Sequence, residues 1–116
     1  RKRQTIGERY LREIRNSMIT MQVHPENTKP VYHLFVITVP DHEDFLHYMA
    51  EKGIECNMHY PVPCHLQKAY AHLGYQEGDC PNAEYLASHC VTLPLFPEMR
   101  EDEVSRVIEA CNEYRR

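Results

Sequence analysis

The residues of this chain that are best suited to contacting a ligand lie together at positions 59–67. This segment reads His-Tyr-Pro-Val-Pro-Cys-His-Leu-Gln. Its two prolines fix φ and remove backbone donors, so the segment cannot continue as a helix or a central strand. A rigid, extended loop with His, Tyr and Gln side chains can present hydrogen-bonding groups to a ligand. The composition fits equally well a proline-stiffened connector whose Tyr60 covers the core and whose histidines face solvent.

Two further chemistries are conceivable in this segment. His59, Cys64 and His65 could bind a metal ion, and Cys64 with His65 resembles a nucleophile and its base. Neighbouring residues point in different directions on regular backbone, and zinc sites usually show closely spaced Cys or His pairs that are missing here. The five cysteines of the chain are an odd number without the spacing of a disulfide scaffold, so we expect free thiols in a reducing compartment. A metal-binding module remains an alternative, and we predict no metal site.

The lysines give no sign of covalent catalysis. A lysine that forms a Schiff base needs an apolar pocket or cationic neighbours that lower its pKa. Lys29 falls in a turn, Lys52 on the polar side of a helix and Lys68 in a helix of mixed character, so we expect all three to be solvated. The two glycines of residues 74–79 lack the strand and helix context of a phosphate-binding loop. The sequence therefore predicts no catalytic residue in this chain.

Length and charge limit the class of protein. The chain has 116 residues, 42% of them hydrophobic, which predicts one domain over residues 1–116 with one core. Residues 1–15 hold six basic and two acidic residues, whereas residues 16–114 hold five and fifteen. An acidic body argues against a nucleic-acid partner. The chain has no apolar run near the roughly 20 residues that cross a bilayer, so we expect no membrane partner.

Three segments predict strands. They are residues 31–39, which mix β-branched and aromatic residues before Pro40, the alternating residues 54–58, and residues 90–95, which are interrupted by Pro94. Together they predict a small three-stranded sheet.

Helices separate and outnumber these strands. The spacing of Ile6, Tyr10, Ile14 and Met18 predicts an apolar stripe on the first helix. Further helices are predicted after Asp41, over residues 66–73, from Pro81, and after Pro97. The order predicts an α+β fold in which helices cover the sheet.

Several ordered landmarks resemble the PLP-dependent nucleotide-sugar aminotransferases of the DegT/StrS type, specifically their carboxy-terminal small domain. The landmarks fall in residues 31–37, 52–54, 59–70, 73–75, 79–84 and 93–97. The resemblance covers nearly the whole chain. It implies the small domain of a fold-type-I aminotransferase, with the large PLP-binding domain absent from these 116 residues.

The resemblance also implies a function. The parent enzyme would be a bacterial, cytoplasmic homodimer that transfers an amino group, usually from glutamate, to a nucleotide-linked keto sugar, in the biosynthesis of amino sugars or surface polysaccharide. The family's cofactor site and Schiff-base lysine belong to the large domain, so no cofactor-binding residue is predicted here. His59 and Tyr60, followed by His65 and Gln67, are the predicted contacts to the sugar nucleotide. The alternative is a free-standing, non-catalytic module that binds a ligand or another protein.

Overall fold

The computed structural model describes residues 1–115. Four α-helices, two strands and two short 3₁₀ helices follow one another in a mixed order. They are α1 (Lys2–Glu13), β1 (Phe35–Thr38), α2 (His42–Glu51), 3₁₀ helices Cys64–Leu66 and Lys68–Leu73, α3 (Pro81–His89), β2 (Cys90–Leu93) and α4 (Glu101–Glu113). The predicted α+β class is confirmed. Over this described range, none of the helices is both long and apolar enough to span a bilayer.

The predicted three-stranded sheet is wrong, because residues 1–115 form a two-stranded one. Strands β1 and β2 pair antiparallel, with Phe35 opposite Leu93. Residues 54–58 contribute a single bridge, in which Asn57 and Thr92 exchange backbone hydrogen bonds of 3.1 and 2.6 Å. Ile54 donates its N–H to the Met49 carbonyl at the end of α2 instead. The segment therefore begins as a helix cap and meets the sheet at one position only.

The strand predicted from residue 31 begins four residues later. Tyr32 has a φ of 50°, a left-handed conformation that extended backbone does not contain. The Arg3 guanidinium in α1 donates to the carbonyls of Tyr32 and His33, both at 3.2 Å. The bend at Tyr32 thus ties the approach to β1 to the first helix.

The first helix is shorter than its apolar stripe predicted. It ends at Glu13, and Ile14 is buried beyond its last turn. Asn16 is the physical reason, because its side chain accepts from the Met18 N–H at 2.9 Å and donates to the Cys111 carbonyl at 2.8 Å. An Asn that bonds to nearby backbone competes with helical continuation.

The single helix predicted over residues 66–73 is instead the pair of 3₁₀ helices Cys64–Leu66 and Lys68–Leu73. Local signals placed both ends of α2 and the start of α3 correctly. Asp41 accepts from the Asp44 N–H at 3.0 Å and caps α2, and Gly53 follows that helix with a φ of 75°. Pro81 occupies the first turn of α3. The helix predicted after Pro97 is confirmed as α4, with its apolar stripe buried.

The two faces of the sheet differ in what covers them. Phe35 and Ile37 of β1 lie opposite Leu93 and Val91 of β2, and all four are buried in the core with α1, α2 and α4. Tyr10 of α1 packs edge-on against Phe35 at 5.1 Å. The alternate residues of both strands face the other side. On that side lie residues 59–67 and α3.

Candidate functional site

An open cleft of about 300 Å³ lies between residues 59–67, α3 and the second face of the sheet. We call it the His59 cleft. The loop lines it with His59, Tyr60, Val62, Pro63, Cys64 and Gln67. The sheet contributes Val36 and Cys90, and α3 contributes Ala83, Leu86 and Ala87. Three of the four predicted ligand contacts, His59, Tyr60 and Gln67, therefore share one cleft.

His59 is fixed at the side of this cleft by β2. Its Nδ1 lies 2.8 Å from the Thr92 hydroxyl oxygen, and the two share a hydrogen bond. Thr92 is the buried polar residue of β2, and its backbone also pairs with Asn57. A half-buried imidazole held through one nitrogen can direct the other toward a ligand.

Tyr60 and Gln67 stand differently in the same loop. The Tyr60 side chain is 68% exposed, and its ring lies edge-on to that of His59 with centroids 5.1 Å apart. Gln67 donates to the Val62 carbonyl at 3.4 Å, which spans the turn between the prolines and the second 3₁₀ helix. Tyr60 is thus open to a ligand, whereas Gln67 also has a local structural bond.

His65 does not line the His59 cleft. Its side chain is 8% exposed, its Nε2 lies 3.4 Å from Oε2 of Glu84, and its ring lies edge-on to Tyr75. The Glu84 carboxylate also accepts from the N–H groups of Gly78 at 2.7 Å and Cys80 at 3.1 Å. We call this arrangement the Glu84 clamp. It joins the loop to the start of α3 and favours a structural role for His65.

The electrostatics of these groups follow from their partners. The bond from the Gly78 N–H is the main cause of a lowered Glu84 pKa, with smaller contributions from Cys80 and His65. Burial raises the pKa of the Cys90 thiol at the base of the cleft, against opposing hydrogen bonds from the backbone of Cys90 and His59. The thiol is therefore neutral near pH 7 and acts as an apolar wall.

The residues of the alternative metal site do not form a cluster. Within the part of the chain that the structure describes, no three His, Cys, Asp or Glu side chains are arranged to hold a metal ion. His59 shares a hydrogen bond with Thr92, and the Nε2 atom of His65 lies 3.4 Å from the Glu84 carboxylate.

The residues present do not fit a PLP site either. Lys2, Lys29, Lys52 and Lys68 are all exposed, and Lys52 lies 3.6 Å from the Glu113 carboxylate. A lysine that forms a Schiff base usually lies in an apolar pocket or beside cationic neighbours, whereas these four lysines face solvent.

Two larger depressions, of about 440 and 450 Å³, lie away from the predicted contacts. One is bordered by Glu103 and Arg106, the other by Lys2 and Arg100. Their walls mix both signs of charge on helix surfaces. The His59 cleft is smaller but gathers the predicted groups, so we take it as the candidate site.

The sequence did not predict the partners of the candidate site residues. Thr92 belongs to an apolar strand, and its polar side chain among buried neighbours was the one available signal of a second role. Glu84 lies 19 residues after its partner His65, and no local pattern joins them.

Comparison with known proteins gives a consistent result. Residues 1–112 match the DegT/DnrJ/EryC1/StrS aminotransferase family. The chain is 40% identical over 113 residues to a dTDP-3-amino-3,6-dideoxy-alpha-D-galactopyranose transaminase from Aneurinibacillus thermoaerophilus. That alignment covers 97% of this chain and 31% of the relative. The chain thus spans about a third of the length of the curated relatives it matches.

Two solved structures share the fold. The structure of Streptomyces venezuelae DesV in complex with a ketimine intermediate superposes with a TM-score of 0.92 at 33% identity, covering 97% of this chain and 30% of that one. The PLP form of the sugar aminotransferase Spr1654 from Streptococcus pneumoniae, described as putative in its name, gives 0.81 at 29% identity, covering 96% and 30%.

Proposed function

The chain belongs to the DegT/DnrJ/EryC1/StrS aminotransferase family, and we propose that it is the carboxy-terminal domain of a PLP-dependent aminotransferase that acts on a nucleotide-linked keto sugar. The observation that carries this proposal is the match over residues 1–112, together with 40% identity to a relative named as a dTDP-amino-sugar transaminase. Residues 1–116 then form one domain of the enzyme, and glutamate is the amino donor.

PLP, when bound, supplies the electron sink of transamination. Its binding is assigned to the protein outside this chain, since the four lysines here are exposed. What this domain contributes is the positioning of a large, anionic substrate, which lowers the entropic part of the barrier.

Two groups of the His59 cleft are assigned to this positioning. His59 uses Nδ1 for Thr92, so Nε2 is assigned to a sugar or phosphate oxygen. The exposed Tyr60 hydroxyl is assigned to the same substrate, because a phenol can both donate and accept. Gln67 serves as a secondary contact, and His65 as a structural member of the Glu84 clamp. The homodimeric state and the cytoplasmic location expected from the resemblance remain predictions.

The test is an assay of the longest protein that contains this sequence. With PLP, glutamate and a nucleotide-linked keto sugar, it should form the amino-sugar nucleotide, and the 116-residue chain alone should form none. If the long protein transfers no amino group to any of the keto-sugar nucleotides tested, the proposal is contradicted. That result would favour the free-standing binding module.

A further inference from the structure

We infer that a second depression, separate from the His59 cleft, is a binding site for an uncharged saccharide ring. It has a volume of about 270 Å³ and lies where residues 17–20, the end of β1 and α3 meet. We call it the Thr38 depression. It shares no lining residue with the His59 cleft, and the inference goes beyond the proposed function because it does not involve transamination.

Helical periodicity places the two depressions on different faces of α3. Tyr85 and His89 are four residues apart, so they lie on one face of the helix, and both line the Thr38 depression. The α3 residues that line the His59 cleft are Ala83, Leu86 and Ala87, which fall on another face. A ligand in the Thr38 depression would therefore lie apart from the groups assigned to the sugar nucleotide.

A pair of stacked rings forms one wall of the depression. The rings of Tyr85 and His89 have centroids 4.0 Å apart and planes inclined by 15°. The Nδ1 atom of His89 lies 2.8 Å from the Tyr85 carbonyl oxygen, and the Val39 N–H donates to the His89 carbonyl at 3.0 Å. These contacts hold the pair against the end of β1, while the Tyr85 side chain is 53% exposed. The electron-rich face of an aromatic ring attracts the C–H groups that a saccharide presents on the faces of its ring.

Three hydroxyl groups line the same depression. Thr20 and Thr38 lie side by side, because their backbones exchange hydrogen bonds of 2.9 and 3.1 Å, and Ser17 is three residues before Thr20. Within residues 1–115, none of these three hydroxyls is hydrogen-bonded to another residue. Each can donate one hydrogen bond and accept others, which matches the hydroxyl groups of a saccharide.

The charge and the size of the depression favour a neutral ligand with one ring. None of the eight described residues that line it is Asp, Glu, Lys or Arg, whereas the two larger depressions include both signs of charge. A phosphate or nucleotide would find no cationic side chain among them for a charge-assisted hydrogen bond. Ligand pockets usually measure roughly 300–1,000 Å³, so this depression suits a single ring better than a whole sugar nucleotide.

Saturation-transfer NMR on the longest protein that contains this sequence tests the inference. The probes are the methyl glycosides of glucose, galactose, mannose and N-acetylglucosamine. We expect saturation transfer to the ring protons of at least one of them, with a Kd of about 1–10 mM. If none of the four receives saturation from the protein, the inference is overturned.

Variants of the lining residues locate the bound saccharide. Tyr85→Leu removes the aromatic face, and the double variant Thr20→Val/Thr38→Val removes two hydroxyls while keeping β-branched side chains. Each should raise the Kd about fivefold or more. Because Tyr85 is half exposed, Tyr85→Leu provides the test even if the double variant does not fold. An unchanged Kd in Tyr85→Leu, or in the folded double variant, would overturn the inference.

Control variants separate this depression from the rest of the surface. Tyr70→Leu and Thr5→Val change residues of the same types at exposed positions outside the depression, and should bind the saccharide as the wild type does. His59→Ala should also leave the saccharide Kd unchanged. A Kd raised about tenfold by His59→Ala would place the saccharide in the His59 cleft and overturn the inference. Saccharide binding by a protein that transfers no amino group would keep the inference and refute the proposed function alone.

Discussion

The Nδ1 atom of His59 lies 2.8 Å from the hydroxyl oxygen of Thr92, and this bond joins the proline-rich loop to the sheet. The backbone of Thr92 also bridges to Asn57, two residues before His59. One residue of β2 therefore fixes both the entry of the loop and the orientation of its first imidazole. Such support from a rigid element keeps a binding group in place before the ligand arrives.

Removing the Thr92 hydroxyl should weaken substrate binding through His59. In the long protein, we expect Thr92→Val to raise the Kd of the sugar nucleotide about fivefold, the factor that corresponds to one hydrogen bond of about 1 kcal/mol. Thr92→Ser retains the hydroxyl and should bind nearly as the wild type. Titration calorimetry would measure both, and identical affinities for the two variants would refute an orienting role for Thr92.

Direct removal of the predicted contacts should have a larger effect on substrate than on cofactor. His59→Ala and Tyr60→Ala should each raise the Kd of the sugar nucleotide about tenfold, while PLP affinity stays unchanged. Tyr60→Phe is the matched control, because it removes the hydroxyl and keeps the ring, and so separates their contributions to substrate binding. Unchanged substrate affinity in both alanine variants would refute the site assignment, and equal losses of substrate and PLP would point to general damage to the fold.

The Glu84 clamp should make the fold sensitive to acid. The pKa of Glu84 is held below its ordinary value of 4.5, chiefly by the Gly78 N–H. Its contribution to stability is therefore present above about pH 4.5 and is lost as the pH falls through the lower folded pKa. Urea unfolding of the 116-residue chain between pH 7 and pH 3 should show this loss in the wild type. The loss of stability at low pH should be smaller in Glu84→Gln. Glu26→Gln, at an exposed turn position, is the control and should lose as much stability as the wild type. An identical pH dependence in Glu84→Gln would contradict the clamp.

Gly7 is required by close packing rather than by backbone conformation. A Cβ at this position of α1 would lie 2.6 Å from two ring atoms of Tyr32. Overpacking of this kind costs typically 1–3 kcal/mol, against a gain of about 1 kcal/mol in helix propensity. We expect Gly7→Ala to lower the free energy of unfolding of the 116-residue chain by about 1 kcal/mol net. The cost should shrink in a Tyr32→Leu background, and an equal cost in both backgrounds would show that the ring is not the obstacle.

Signals within a few residues were the ones that sequence analysis interpreted correctly. Asp41, Gly53 and Pro81 act on the nearest helical turn, so their positions followed from their residue types. The start of β1 was predicted too early. Tyr32 has left-handed backbone and contacts Gly7 and Arg3 of α1, which are distant in sequence. The prediction of a third strand over residues 54–58 was also wrong, because the N–H of Ile54 donates to the Met49 carbonyl of α2 and not to the sheet.

The candidate site shows the same division. The prolines of residues 59–67 indicated a fixed, exposed loop, and His59, Tyr60 and Gln67 do share a cleft. His65 was grouped with them because it is close in sequence, yet its ring turns to Glu84. A contact between residues 19 positions apart depends on how the loop and α3 pack, which residue types alone do not specify.

In the proposed function, this domain positions the substrate while the cofactor is bound elsewhere in the protein. Borohydride reduction of the long protein loaded with PLP, followed by peptide mapping, tests it most directly because reduction fixes the cofactor to the lysine that holds it. We predict one modified lysine, located before residue 1. Modification of Lys2, Lys29, Lys52 or Lys68, or a protein that takes up no PLP, would contradict this assignment.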